Sequence, residues 1–84
     1  MEIYSLIESS IIENAGINFS SFILTFDKPL PKDTLRITQD FRSGQDLIVD
    51  NINGKNVKVR LITNDPKDYL DQKYLYPGVQ YFIV

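Results

Sequence analysis

The chain has 84 residues, of which 43% are hydrophobic and 24% charged, and its net charge is −2. This length and composition predict one globular domain and argue against disorder, because the apolar surface is large enough to offset chain entropy. The absence of cysteine and histidine excludes disulfides, most zinc sites and His-dependent nucleophilic triads, and the acidic balance lacks the basic excess of nonspecific nucleic-acid binders.

The N-terminus predicts neither a secretory signal nor a membrane span. Glu2 and Glu8 stand where a signal peptide carries positive charge, and no long apolar run follows. We therefore expect a cytoplasmic protein without a membrane partner. No cofactor is expected, because the chain carries no cofactor-binding motif such as GxxxxGK[ST].

The first segment fits two structures. Helical spacing relates Ile3, Leu6, Ile7, Ile11 and Ala15. Against a helix, the segment is rich in Ile and Ser, and no N-cap precedes Ile3. Alternation over residues 3–8 favours a strand, with a helix over residues 3–15 as the alternative.

The strongest strand pattern covers residues 17–27, where Phe22, Leu24 and Phe26 share one face. Pro29 and Pro31 then predict a turn, because proline lacks the amide donor of a central strand. Alternation resumes with Leu35 and Ile37, which are predicted to point inward.

A polar loop over residues 40–44 precedes a new strand that begins at Leu47. Asn53-Gly54 is predicted to form the two-residue turn of a hairpin, because both residue types tolerate positive φ. In the strand that follows, Val57, Val59 and Leu61 are predicted to face the core, with Lys58 and Arg60 outward.

A short helical turn is predicted near residues 65–71, with Asp65 as its cap and Pro66 at its first position. Asp65, Asp68 and Asp71 could alternatively bind a divalent cation, but their spacing is not that of a calcium loop and capping is favoured. Tyr76-Pro77-Gly78-Val79 is typical of a β-turn, and residues 79–84 follow as an apolar strand that must be paired or packed.

Short strands separated by turns predict an all-β fold: one domain over residues 1–84, a small closed or nearly closed β-barrel. The order of features resembles the second domain of translational GTPases such as elongation factor Tu. The resemblance rests on the Gly-bearing turn and strand of residues 14–26, the turn and strand of 30–37, the strand of 55–62, and the closing turn and strand of 76–84. It implies a barrel of roughly six to eight strands but transfers no partner, because one scaffold hosts many functions.

Without a catalytic constellation, the sequence favours a noncatalytic binding module whose partner is another protein. Tyrosine is enriched at interfaces because it offers a large contact area at low entropic cost. The predicted contact surface runs from residue 68 to residue 77 and includes a nearby loop. Its residues are Tyr69, Tyr74, Tyr76, Phe41 and Arg42. Packing of the tyrosines against the core is the competing interpretation.

The alternative function is contact with RNA or the ribosome. Arg36, Lys58 and Arg60 point outward from two predicted strands, and they would form a basic strip if those strands were neighbours. A solvated outer face is the competing interpretation of these charges.

Overall fold

The computed structural model describes residues 2–14, 19–39, 46–63, 65–71 and 74–84. The six strands and one helix are, in chain order, β1 (Tyr4–Asn14), β2 (Phe19–Phe26), β3 (Arg36–Thr38), β4 (Asp46–Asn53), β5 (Asn56–Ile62), α1 (Pro66–Asp71) and β6 (Gln80–Ile83). The strands close into an antiparallel barrel in the order β1-β2-β5-β4-β3-β6. The predicted small all-β barrel is confirmed.

Strand β1 resolves the ambiguity of the first segment in favour of a strand. Its ladder with β2 shifts register twice, between Leu6 and Glu8 and between Ile11 and Glu13. Each shift inserts one extra residue, Ile7 or Ile12, as β-bulges do. The consecutive apolar pairs Leu6-Ile7 and Ile11-Ile12 do not fit strict alternation, and the two bulges explain how a strand contains them.

The core consists of the inward faces of the strands. On β2, Phe22, Leu24 and Phe26 are fully buried, as predicted, and Val57, Val59 and Leu61 of β5 pack opposite them. Aromatic rings concentrate where β6 closes the barrel: Phe26 makes edge-to-face contacts with Tyr4 and Tyr81, at centroid distances of 6.4 and 5.8 Å. Such pairs each contribute about 0.5–1.5 kcal/mol beyond the area they bury.

Two local predictions are wrong in detail. Ile37 is buried as expected, but Leu35 is 75% exposed. The cause is that regular extension begins only at Arg36, so that Leu35 belongs to the proline turn and Thr34 takes the buried position instead. In the hairpin, Asn53 pairs with Asn56, so that Gly54 and Lys55, rather than Asn53 and Gly54, form the turn.

The last third of the chain forms a cap and a turn as predicted. The backbone amide of Asp68 donates to Asp65 Oδ1 at 3.2 Å, which makes Asp65 the N-cap of α1. The Val79 amide donates to the Tyr76 carbonyl at 3.3 Å across Pro77-Gly78. No helix in the described part of the chain is long and apolar enough to cross a membrane.

Gly78 provides a test of the closing turn. Its φ is +97°, and a Cβ added there would meet nothing within 4 Å, so only backbone strain opposes a substitution. We expect Gly78→Ala to lower the free energy of unfolding by about 1–2 kcal/mol, measured by urea denaturation. Gln80→Ala, at an exposed position two residues away, is the control. Equal stability of Gly78→Ala and the wild type would contradict this turn.

Candidate functional site

The segment of residues 74–79 is bonded to β1 by three hydrogen bonds. The Leu6 amide donates to the Val79 carbonyl and the Gly78 amide to the Leu6 carbonyl, both at 2.8 Å. The Ser9 hydroxyl donates to the Leu75 carbonyl. Tyr76 lies in the loop between Leu75 and Gly78, the residues that make two of these bonds.

The predicted tyrosines fall into different environments. Tyr69 and Tyr74 are half-buried against the core, with ring centroids 5.6 Å apart. Tyr76 is 38% exposed. Phe41 and Arg42 lie outside the described residues, so their part in the predicted surface is untested. The structure thus brings Tyr69 and Tyr74 together and leaves Tyr76 at the surface.

Exposed isoleucines lie just before β1, at Ile3, and along it. Ile3, Ile7 and Ile12 are 43, 54 and 44% exposed. Together with Tyr76 they form a surface that we name the β1 patch. Isolated exposed apolar residues are common, but several along one strand are typical of an interaction surface.

Acidic side chains border the β1 patch. Glu8 is exposed beside Ile7. At the other end, Glu2 accepts a hydrogen bond from the Tyr4 hydroxyl at 2.8 Å and lies 3.7 Å from Lys28 Nζ. Burial raises the pKa of Tyr4, and the hydrogen bond and negative charge of Glu2 raise it further. The patch therefore contains one exposed carboxylate, Glu8, between Ile7 and Ile12, and its N-terminal end carries the Glu2–Lys28 ion pair.

The predicted basic strip is interrupted by β4, which separates β3 from β5. Arg36 and Arg60 both lie opposite Ile48, one on each side. Carboxylates of β4 pair with both: Arg36 Nη1 is 3.5 Å from Asp46 Oδ2, and Arg60 Nε is 2.8 Å from Asp50 Oδ1. Lys58, half-buried on β5, faces Asn51 and not Arg36. A phosphate would have to compete with these carboxylates.

The acidic residues near α1 are explained by the helix itself. Asp65 caps it, and Asp65, Asp68 and Asp71 share a shallow depression with Lys67. Within the described residues, no group of three or more acidic, His or Cys side chains has the geometry to hold a metal ion.

Sequence reasoning missed the β1 patch. The available signal was the pair Leu6-Ile7, because a strand cannot direct two consecutive side chains into one core without a bulge. The strand was predicted only over residues 3–8, whereas β1 continues to Asn14, and the alternation used for that prediction does not reveal the bulges.

Alanine substitutions separate packing from exposure among the tyrosines. We expect Tyr74→Ala to lower the unfolding free energy by about 2–4 kcal/mol, close to the core control Leu24→Ala, because its ring packs on the core. Tyr76→Ala should change it by less than about 1 kcal/mol. Urea titrations measure both. A larger loss for Tyr76→Ala than for Tyr74→Ala would contradict these placements.

Because of Tyr81, we expect the free energy of unfolding to fall at alkaline pH. Its ring is fully buried, and its hydroxyl donates to the Tyr74 carbonyl. Burial raises the pKa of Tyr81 far above its usual value, and Tyr74 and Tyr76 raise it further. Above about pH 10 the unfolded chain loses a proton that the folded chain retains, so the unfolding free energy falls by up to about 1.4 kcal/mol per pH unit.

The control for this pH dependence is Tyr81→Phe. This variant should be less stable at pH 7, because it loses a hydrogen bond, but its stability should decline less steeply between about pH 10 and pH 12. Unfolding titrations across this range compare the two slopes. Identical slopes would show that Tyr81 ionises with the same pKa in both states.

The chain was compared with protein-family models, with curated proteins and with solved structures, and none of the three comparisons gives a match.

Proposed function

We propose that this chain is a noncatalytic binding module whose partner is another protein, bound through the β1 patch. The observation that carries the proposal is the exposure of Ile3, just before β1, and of Ile7 and Ile12 on β1, with Tyr76 exposed in the loop that bonds to this strand. Residues that are already exposed on a paired strand require no refolding of the barrel to bind. Because each isoleucine is only about half exposed, covering one contributes about half of the roughly 1.5–3 kcal/mol for a fully exposed side chain, or about 1 kcal/mol.

The border of the patch indicates the chemistry of the partner. Because Glu8 is exposed next to Ile7, the partner should present an apolar surface that carries a Lys or Arg. A second copy of the chain would bring its own Glu8 to the same interface. Like charges therefore disfavour self-association through this face.

RNA contact through Arg36, Lys58 and Arg60 is the alternative proposal and has less support, since both arginines are already paired with carboxylates. A fluorescence titration with single-stranded RNA at low and physiological salt tests it. Affinity that falls steeply with salt would favour RNA as the partner.

Kinship with the second domain of translational GTPases is also a proposal. It is supported by the order of turns and strands and by a closed barrel. It names no partner, so it does not alter the choice between protein and RNA.

The β1 patch is tested by two matched substitutions. Ile7→Lys and Ile62→Lys each replace an exposed isoleucine with the same cation, the second at the end of β5, where the residue is 60% exposed. On the chain immobilised as bait, we expect Ile7→Lys to weaken retention of the host protein partner about tenfold, since tenfold corresponds to about 1.4 kcal/mol. Ile62→Lys should retain it fully.

Two results would contradict the assignment. Equal losses for Ile7→Lys and Ile62→Lys would show that the interaction is not localised to β1. A wild-type chain that sediments as a dimer, and as a monomer after Ile7→Lys, would show that the patch binds a second copy.

A further inference from the structure

A groove lies between β4 and the segment of residues 30–35, on the side of the barrel opposite β1. The segment bonds to β4 and its turn at two points. At one end the Val49 amide donates to the Leu35 carbonyl at 2.8 Å, and at the other the Leu30 amide donates to the Gly54 carbonyl at 3.4 Å. Between these points the segment turns away, with the Thr34 amide bonded to the Pro31 carbonyl at 3.2 Å.

Because the segment turns away from β4, the edge of β4 is unpaired, among the described residues, between the bonded positions Val49 and Gly54. Strand β3 pairs with β4 only from Asp46 to Ile48. Further along, Asn53 pairs with Asn56 across the hairpin, so Ile52, one residue earlier, directs its N–H and C=O towards the groove. Such an edge is a template for an added strand.

The groove also contains an unsatisfied polar group. Thr34 is 7% exposed, and its Oγ1 is buried without a hydrogen-bond partner in the described structure. A buried hydroxyl without a partner is destabilising. Because Thr34 lines the groove, a change of its χ1 rotamer would turn the hydroxyl towards a ligand there.

The remaining lining residues define the ligand. Leu35, Val49 and Ile52 supply apolar surface, and the cavity of 380 Å³ is of ligand-binding size. Of the two charged side chains in the lining, Asp50 is paired with Arg60, whereas Lys32 has no ion pair in the described part of the chain. The available charge is therefore positive.

We propose that this groove binds an extended, acidic peptide segment that adds a strand to the edge of β4 at Ile52. In this arrangement Ile52 supplies main-chain hydrogen bonds, Thr34 Oγ1 a side-chain hydrogen bond, and Lys32 an ion pair with an acidic residue of the peptide. An apolar residue of the peptide covers Leu35. The site is independent of the β1 patch, because three strand steps separate β1 from β4 in either direction around the barrel.

The test uses blocked peptides and amide chemical shifts of the full chain. The probes are acetyl-Glu-Val-Glu-Val-Glu-Val-amide and its counterpart with Lys in place of Glu. The acidic peptide should shift the amide signals of Thr34, Asn51 and Ile52, and the basic peptide should not. Equal binding of both peptides, shifts confined to other residues, or no shift at millimolar acidic peptide would overturn the proposal.

Variants separate the contributions. Thr34→Val should weaken binding of the acidic peptide about fivefold, the factor that corresponds to about 1 kcal/mol for one hydrogen bond. Thr34→Ser, which keeps the hydroxyl, should bind as the wild type does, and Lys32→Gln should reduce the dependence on salt. An acidic peptide N-methylated at its central valine should bind weakly. Unchanged affinity for this methylated peptide, or for Thr34→Val, would overturn strand addition at this groove.

Discussion

Closure of the barrel by β6 is the constraint on which the rest of the structure depends. This four-residue strand pairs with β1 on one side and with β3 on the other. Its Tyr81 contacts the distant Phe26 in the core and donates a hydrogen bond to the Tyr74 carbonyl in the preceding loop, and so it joins β6 to both. Without β6, the first and third strands would both become open edges, which are prone to pair with other chains.

Closure of the barrel also determines which parts of its surface are available to bind a partner. The turn that introduces β6 bonds to β1 at Leu6, and so the loop that carries the exposed Tyr76 is attached to β1. On the opposite side of the barrel from β1, β3 has three residues and β4 has eight, so β4 extends beyond its pairing with β3. The β1 patch results from a loop fastened to a bulged strand, and the groove results from a short strand beside a long one. The groove is thus a consequence of unequal strand lengths, and the β1 patch is a consequence of the bulges in β1.

Much of the fold was accessible from local patterns. Alternation identified the buried face of β2, and Asp65 and Pro66 identified the beginning of α1. Strand order was not accessible, because pairing between distant segments leaves no local signal. For example, β4 lies between Arg36 and Arg60. Its carboxylates Asp46 and Asp50 pair with the two arginines and offset the positive charge of the predicted basic strip.

The candidate sites were less accessible than the fold. The contact surface predicted over residues 68–77 included Tyr69 and Tyr74, which pack against the core, as well as Tyr76, which is exposed. The isoleucines of β1 were seen, but their exposure depends on two bulges that alternation does not reveal. No sequence pattern indicated that Thr34 is buried. Its burial depends on how the proline turn packs beside β4, and the same arrangement leaves Leu35 exposed.

Amide hydrogen exchange of β6 tests whether this strand closes the barrel. If β6 closes the barrel, its hydrogen-bonded amides should exchange only through global unfolding, with the same free energy of opening as the slowest amides of β2. Exchange of the β6 amides at a much lower free energy of opening, while β2 stays protected, would show that the barrel opens at this strand and would contradict the account.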